Sequence, residues 1–267
     1  MFDVFSVSFL RIAFLGAILS AGSTALISPF VALKKISYMS EAFAHISFAG
    51  IALALLLGIG LNAPTLLFVL IIALIIGFVS RRFSLEEANI TTVFLSVSMA
   101  LGIILISVNS NVNVDIAGYL FGNILLVRNI DIYWLSALFI INLMFIIIFF
   151  KELFYIAYNE ELSLIYGIPV KPLYYSFIGI LALNIVVSVK IIGVVLITAQ
   201  MILPGLTALN FIRRLKPAVI VSVIISLISS VSGFFLSYYF DLPTGASIVL
   251  ILFAVFLISL FFRNRHI

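Results

Sequence analysis

An all-α fold of membrane-crossing helices is what this sequence predicts, and three observations predict it. Of 267 residues, 65% are hydrophobic and 9% charged, against about 45–50% and 25% in ordinary soluble domains. The apolar residues also come in long runs. Residues 42–80 carry no ionisable side chain except His45, and 12–33, 88–114, 132–150, 191–212, 218–240 and 242–262 carry no Asp, Glu, Lys or Arg. A helix needs about 20 such residues to cross a bilayer. Finally, the runs are continuous, whereas the lipid-exposed strands of a barrel would alternate with period two.

The spans are expected at 8–32, 37–58, 63–80, 90–108, 132–150, 173–189, 191–212, 217–237 and 244–262. Lys34 and Lys35 close the first. The charge-free 42–80 is too long for one crossing and divides into the second and third, closed by Arg81 and Arg82. The fourth lies within the stretch 88–114 that carries no Asp, Glu, Lys or Arg, and Lys151 closes the fifth on the inner side. The sixth and seventh meet at a very tight joint, Ser188 to Lys190, so merging or re-entry there would reduce nine spans to eight. Arg213, Arg214 and Lys216 separate the seventh from the eighth, and Arg263 ends the ninth. The whole chain, 1–267, reads as one transmembrane domain. Its start, with Asp3 and no basic region before the apolar run, does not read as a cleavable signal peptide, and the first span is expected to stay.

With the N-terminus outside and the C-terminus cytoplasmic, eleven of the fourteen Lys and Arg fall on the inner side and only Arg11, Arg128 and Lys190 near the outer. That bias sets topology. The basic residues punctuate apolar runs and form no stripe, so no nucleic-acid partner is expected. Without cysteine there is neither a disulfide framework nor a thiolate metal site.

Two segments do not span. The largest inner loop, about 151–172, contains Glu160 and Glu161 on a short helix ended by Gly167 and Pro169. It reads either as an interfacial helix or as a docking surface for a cytoplasmic partner. On the outer side, 109–131 holds Asp115, Gly118, Gly122 and Asn123, and is re-entrant or lies on the surface.

An ionisable residue within a span is a functional hypothesis by default. Glu41 and His45 are four apart in the second span and stack on one helical face, with Ser37 and Ala49 one turn before and after. Counted from Lys35, His45 lies about 15 Å deep. Carboxylate and imidazole suit a divalent first-row cation. They make half a site, which a second copy across a two-fold axis would complete. Interhelical hydrogen bonding and a proton relay remain alternative readings of the same spacing. In the seventh span, Pro204 deprives the Gln200 carbonyl of its helical donor, which kinks the helix and frees backbone oxygen. Asn142, Asn184 and Ser188 read as contacts between helices, and Gly50 with Ala54 as close packing.

The chain has no phosphate-binding loop, no H-E-x-x-H and no G-x-S-x-G. It is not expected to be an enzyme, so pumping would draw energy from a partner ATPase or from ion coupling.

The segment KKISYMSEAFAHISFAGIALALLLG, Lys34 to Gly58, resembles the second-helix signature of the membrane permease subunits of bacterial zinc and manganese ABC importers, in which an acidic residue precedes an Ala-His pair by three positions. Four further stretches agree in order: VDIAGYLFGNIL at Val114, EELSLIYGIPVK at Glu160, VVSVKIIGVVLITAQMILPGLTA at Val186 and YYFDLPTGASIVL at Tyr238. The resemblance implies a type II ABC importer-like bundle and a homodimer in the cell (inner) membrane. It also implies a cytoplasmic ATP-binding subunit that hydrolyses ATP, and an extracytoplasmic metal-binding protein. Glu41 and His45 fall where the family holds or gates the metal in transit, and Glu160, Glu161 and Gly167 fall where it docks the ATPase. No permanent cofactor is implied; the ion is cargo, with zinc favoured and manganese or iron as alternatives. An ion-coupled secondary metal transporter is the alternative of a different class. The chain departs from the family pattern in having Glu at 41, usually Asp, and Gln at 200, usually apolar or small. Gln200 could add an uncharged ligand.

Overall fold

The computed structural model describes residues 8–58, 60, 62–108, 122 and 127–262. Among these the helices are α1 (Ser8–Leu33), α2 (Ser37–Leu56), α3 (Asn62–Phe83), α4 (Glu87–Val108), α5 (Asn129–Tyr158), the short α6 (Glu160–Ile165), α7 (Val170–Phe211), α8 (Leu215–Phe240) and α9 (Thr244–Phe261). All but α6 are long and apolar enough to cross a membrane, which makes eight. The described residues contain no strand. Asp3, Arg263, Arg265 and most of the outer segment, including Asp115, Gly118 and Asn123, lie outside the description.

Eight helices nevertheless make nine legs, because α7 is folded in two. Its 42 residues contain one break, Gly193, at φ 80° and ψ 165°. Near its start, the Tyr174 ring lies 5.4 Å from Lys34 Nζ, just past the end of α1. Near its end, Gly205 N–H donates to Ser28 Oγ on α1 at 2.8 Å. Positions 28 and 34 are about 9 Å apart along a helix, whereas a straight helix would hold Tyr174 and Gly205 about 46 Å apart. The chain therefore reverses at Gly193. The sequence places the joint at Ser188 to Lys190, but those residues are helical; only glycine readily takes the φ and ψ of the reversal, and it comes three residues later.

The legs alternate between two ends. One end gathers Lys34, Arg81, Glu87, Glu160 and Lys171, and beside Lys151 also Arg213, Arg214 and Lys216. The other gathers Asn62, Asp131 and Lys190. There Lys190 Nζ meets Asp131 Oδ1 at 3.0 Å, and Asp131 Oδ2 accepts from Arg128 N–H at 3.0 Å, capping α5. Ser8, where α1 begins, and Phe261, where α9 ends, thus stand at opposite ends.

The loop expected over about 151–172 is largely helical. After a kink at Phe149, φ −106°, α5 continues to Tyr158. Asn159 then starts α6, its side chain accepting from Leu162 N–H at 3.0 Å. Gly167 ends it at φ 75°, with Gly167 N–H to Leu164 O at 3.0 Å and Ile168 N–H to Ser163 O at 3.0 Å, the paired bonds of a Schellman cap.

Inside the bundle, α1 and α7 form the centre, and polar residues fix the crossings. Asn142 Nδ2 on α5 donates to Ser23 Oγ at 2.6 Å and to Asn184 Oδ1 at 2.8 Å, while Ser23 Oγ donates to Asn184 Oδ1 at 2.9 Å. All three are fully buried, so the contact between helices expected of Asn142 and Asn184 is present. Ser188 Oγ is buried without a partner among the described residues. Asn142→Leu keeps the branched shape and removes the bonds, and should lower stability in detergent by about 1–2 kcal/mol. An unchanged thermal midpoint would show that the cluster contributes nothing. Gly50, as expected, sits in a close contact, where an added Cβ would lie 3.1 Å from Thr65 Cα.

Candidate metal site and coupling helix

Most of the first two-thirds of α2 is buried, and the charged stripe within it is not. Ala42, Phe43, Ala44 and Ile46 are 1% exposed or less, yet Glu41 just before them is exposed and His45 among them is half-buried. The four-residue spacing sets both side chains on one flank that the other described helices leave uncovered. Neither makes a hydrogen bond or ion pair with any described residue. Nor do three or more His, Cys, Asp and Glu side chains come together as a metal site among the described residues. The pair is therefore an open face of one carboxylate and one imidazole in the first half of a membrane-length helix.

Gln200 is placed elsewhere. It is fully buried, and its Nε2 donates to Ser230 Oγ on α8 at 3.1 Å, while its Oε1 has no partner among the described residues. The structure thus sets it in the α7–α8 contact and does not bring it onto the α2 stripe. Pro204, buried four residues later, lies beside Gly205, whose N–H turns outward to Ser28.

At the basic end, α6 presents two faces. Glu160 turns inward, accepting from Arg81 Nη2 at 2.7 Å and lying 3.6 Å from Lys34 Nζ. Burial holds the Lys34 ammonium below the ordinary lysine range, and Glu160 pulls the other way. Glu161 is exposed, as are Leu162 (48%), Leu164 (57%), Ile165 (80%) and Tyr166 (74%). An open cleft of about 650 Å³ beside α6 is bordered by Arg81, Arg82, Glu87, Glu160, Lys171 and Tyr175. An apolar and acidic projection next to a charged cleft suits a protein partner better than acyl chains.

The sequence reading missed the rest of this network. The Arg81 guanidinium stacks on Tyr174, 3.7 Å from the ring centroid. Tyr174 Oη donates to Glu87 Oε1 at 2.6 Å, and Tyr38 Oη donates to Glu87 Oε2 at 3.3 Å. Arg81 enters the sequence reading only as a basic residue closing a span, and Glu87 does not enter it. Their partners lie tens of residues away, where no local pattern points.

The profile of the ABC 3 transport family matches residues 6–263. A probable metal transport system membrane protein of Thermotoga maritima is 33% identical over 255 residues, 96% of this chain and 90% of that protein. The manganese transport system membrane protein MntC of Halalkalibacterium halodurans is 30% identical over 99% of this chain and 90% of its own length. The high-affinity zinc uptake system membrane protein ZnuB of Haemophilus influenzae is 28% identical over 91% of this chain and 93% of its own. Among solved structures, PsaBC from Streptococcus pneumoniae in complex with Fab superposes with a TM-score of 0.83 at 32% identity, over 95% of this chain and 91% of that chain.

Proposed function

The chain belongs to the ABC 3 transport family of metal ABC permeases, and we propose that two copies of it form the membrane channel of an importer for a divalent first-row cation. The observation that carries this reading is the Glu41–His45 stripe, left uncovered by the described helices on a mostly buried part of α2. An unpaired carboxylate facing lipid costs at least about 2.5–3.5 kcal/mol on insertion scales. Facing a second copy, two carboxylates and two imidazoles make a four-ligand site that offsets the desolvation of a passing ion. A binding protein delivers the ion outside, and an ATPase docked on α6 drives alternating access.

Zinc is the cargo we favour, because two imidazoles suit it. Manganese is the second reading, favoured by the carboxylates and by relatives named for manganese. Hydrolysis by the reconstituted complex, with the binding protein loaded with one metal or the other, separates them: zinc should stimulate more. Stimulation by manganese alone would reverse the assignment.

A cytoplasmic basic end is supported by the bias of Lys and Arg, nine to three among the described residues. The natural chain has no cysteine, so single introduced thiols report sidedness. Lys35→Cys should react with an impermeant maleimide only from the cytoplasm and Gly60→Cys only from outside; the reverse pattern would overturn the orientation.

Docking on α6 is tested at its cap. A Cβ at Gly167 would meet nothing within 4 Å, so substitution acts through backbone conformation alone. Gly167→Val should strip the ATPase from the complex more completely than Gly167→Ala. Full co-purification and transport in Gly167→Val, and also in Glu161→Lys, would remove α6 as the docking element.

A further inference from the structure

The polar network at the basic end joins the two halves of the site. At one extremity is Glu160, the first residue of α6. At the other is Tyr38 on α2, which shares a helical stripe with Glu41 and His45, three and seven residues further on. The links between are continuous: Glu160 to Arg81 at 2.7 Å, Arg81 stacked on Tyr174, Tyr174 to Glu87 at 2.6 Å, and Glu87 to Tyr38 at 3.3 Å. Glu87 is the junction, since its two carboxylate oxygens each take one phenol.

Resting on the permease reading above, we propose that Glu87 and Tyr174 are positioning residues that carry movement of α6 to the Glu41–His45 stripe. The physical requirement is a contiguous chain of groups biased at both ends. A helix transmits displacement along its axis as a rigid body, so a shift at Tyr38 reaches Glu41 about 4.5 Å and His45 about 10.5 Å further along. The stacked guanidinium resists sliding out of plane; a charge-assisted bond to Glu160 holds the guanidinium, and Glu87 holds the phenol of the ring it stacks on. The open cleft of about 650 Å³ against Arg81, Glu87 and Glu160 leaves these groups room to move when α6 is displaced.

Tyr38→Phe combined with Tyr174→Phe removes only the two phenol oxygens and keeps both rings, including the Arg81 stack. The full chain carrying these changes is reconstituted in vesicles with its ATPase and its binding protein, with zinc and manganese as probes. Basal hydrolysis and the thermal midpoint should stay near wild type. Stimulation by the metal-loaded binding protein, and metal moved per ATP, should both fall about tenfold. Glu87→Gln, which keeps one acceptor oxygen, should fall between wild type and the double variant, and Glu87→Ala should match the latter. Wild-type stimulation and stoichiometry in the double variant would overturn the relay while leaving the permease reading intact. A proportional loss of midpoint, basal hydrolysis and stimulation would also overturn it, as the signature of a purely structural network. A wild-type complex that no metal stimulates would overturn the permease reading and the relay with it.

Discussion

Glu41→Gln is expected to reduce metal transport by about 100-fold or more, given that partners one step removed from a metal ligand are already worth about 10–100-fold. The amide keeps the size of the side chain and removes the charge that offsets the ion's desolvation. Folding should be unaffected, because Glu41 is exposed and bonds to no described residue. This separates the site from the alternative that Glu41 and His45 merely hold helices together. Glue would survive a Gln that still hydrogen-bonds, and His45→Ala would then be the destabilising change. Glu41→Asp is the sharper control: activity should persist with an altered zinc-to-manganese ratio, since shortening the side chain moves the ligand oxygen by about one methylene. Zinc uptake by Glu41→Gln at the wild-type rate over a range of concentrations would end the assignment.

The second large effect is structural. Gly193→Ala should prevent the bundle from assembling, because φ 80° with ψ 165° belongs to a region that is essentially glycine-only and carries a penalty of about 1–3 kcal/mol. The reversal has no slack in which to relax. Ile192 is fully buried, and Gly122 packs so closely there that its own Cβ would fall 2.4 Å from the Ile192 carbonyl carbon. The measurement is the yield of monodisperse protein on size-exclusion chromatography. Gly58→Ala is the control: it too has a positive φ, 65°, but nothing lies within 4 Å of the added carbon, so it should express normally. Equal yields from the two variants would show that the reversal tolerates a side chain.

The elements legible in the sequence are those whose cause is local. Hydropathy acts over a window of one helix, so the spans were placed to within a few residues, apart from α5, which continues beyond Lys151 to Tyr158. There the amphipathic stretch KELFYIAY ends the apolar run without ending the helix. The Glu41–His45 stripe followed from a four-residue spacing, and the Gly167 cap from the one residue type that enters the left-handed region without strain. Gln200 shows the limit of that kind of reading. Its place four residues before Pro204 predicts a kink, yet the one break in α7 is at Gly193, and which neighbour its amide meets depends on how α7 crosses α8.

What the sequence by itself determined, then, is the membrane-spanning all-α class, the two charge-distinguished ends, the α2 stripe and the capped α6. Only the tertiary structure decided where the chain reverses, which face of α2 the described helices leave uncovered, and how Glu160, Arg81, Tyr174, Glu87 and Tyr38 join. The reason is one of range. Hydropathy and capping energies are summed over neighbours in the chain, whereas Arg81 and Glu160 are 79 residues apart, Tyr174 and Glu87 are 87 apart, and Asn142 and Ser23 are 119 apart. Such pairs meet because whole helices pack at particular offsets, and that packing is fixed by the summed shape of every buried side chain rather than by any one segment.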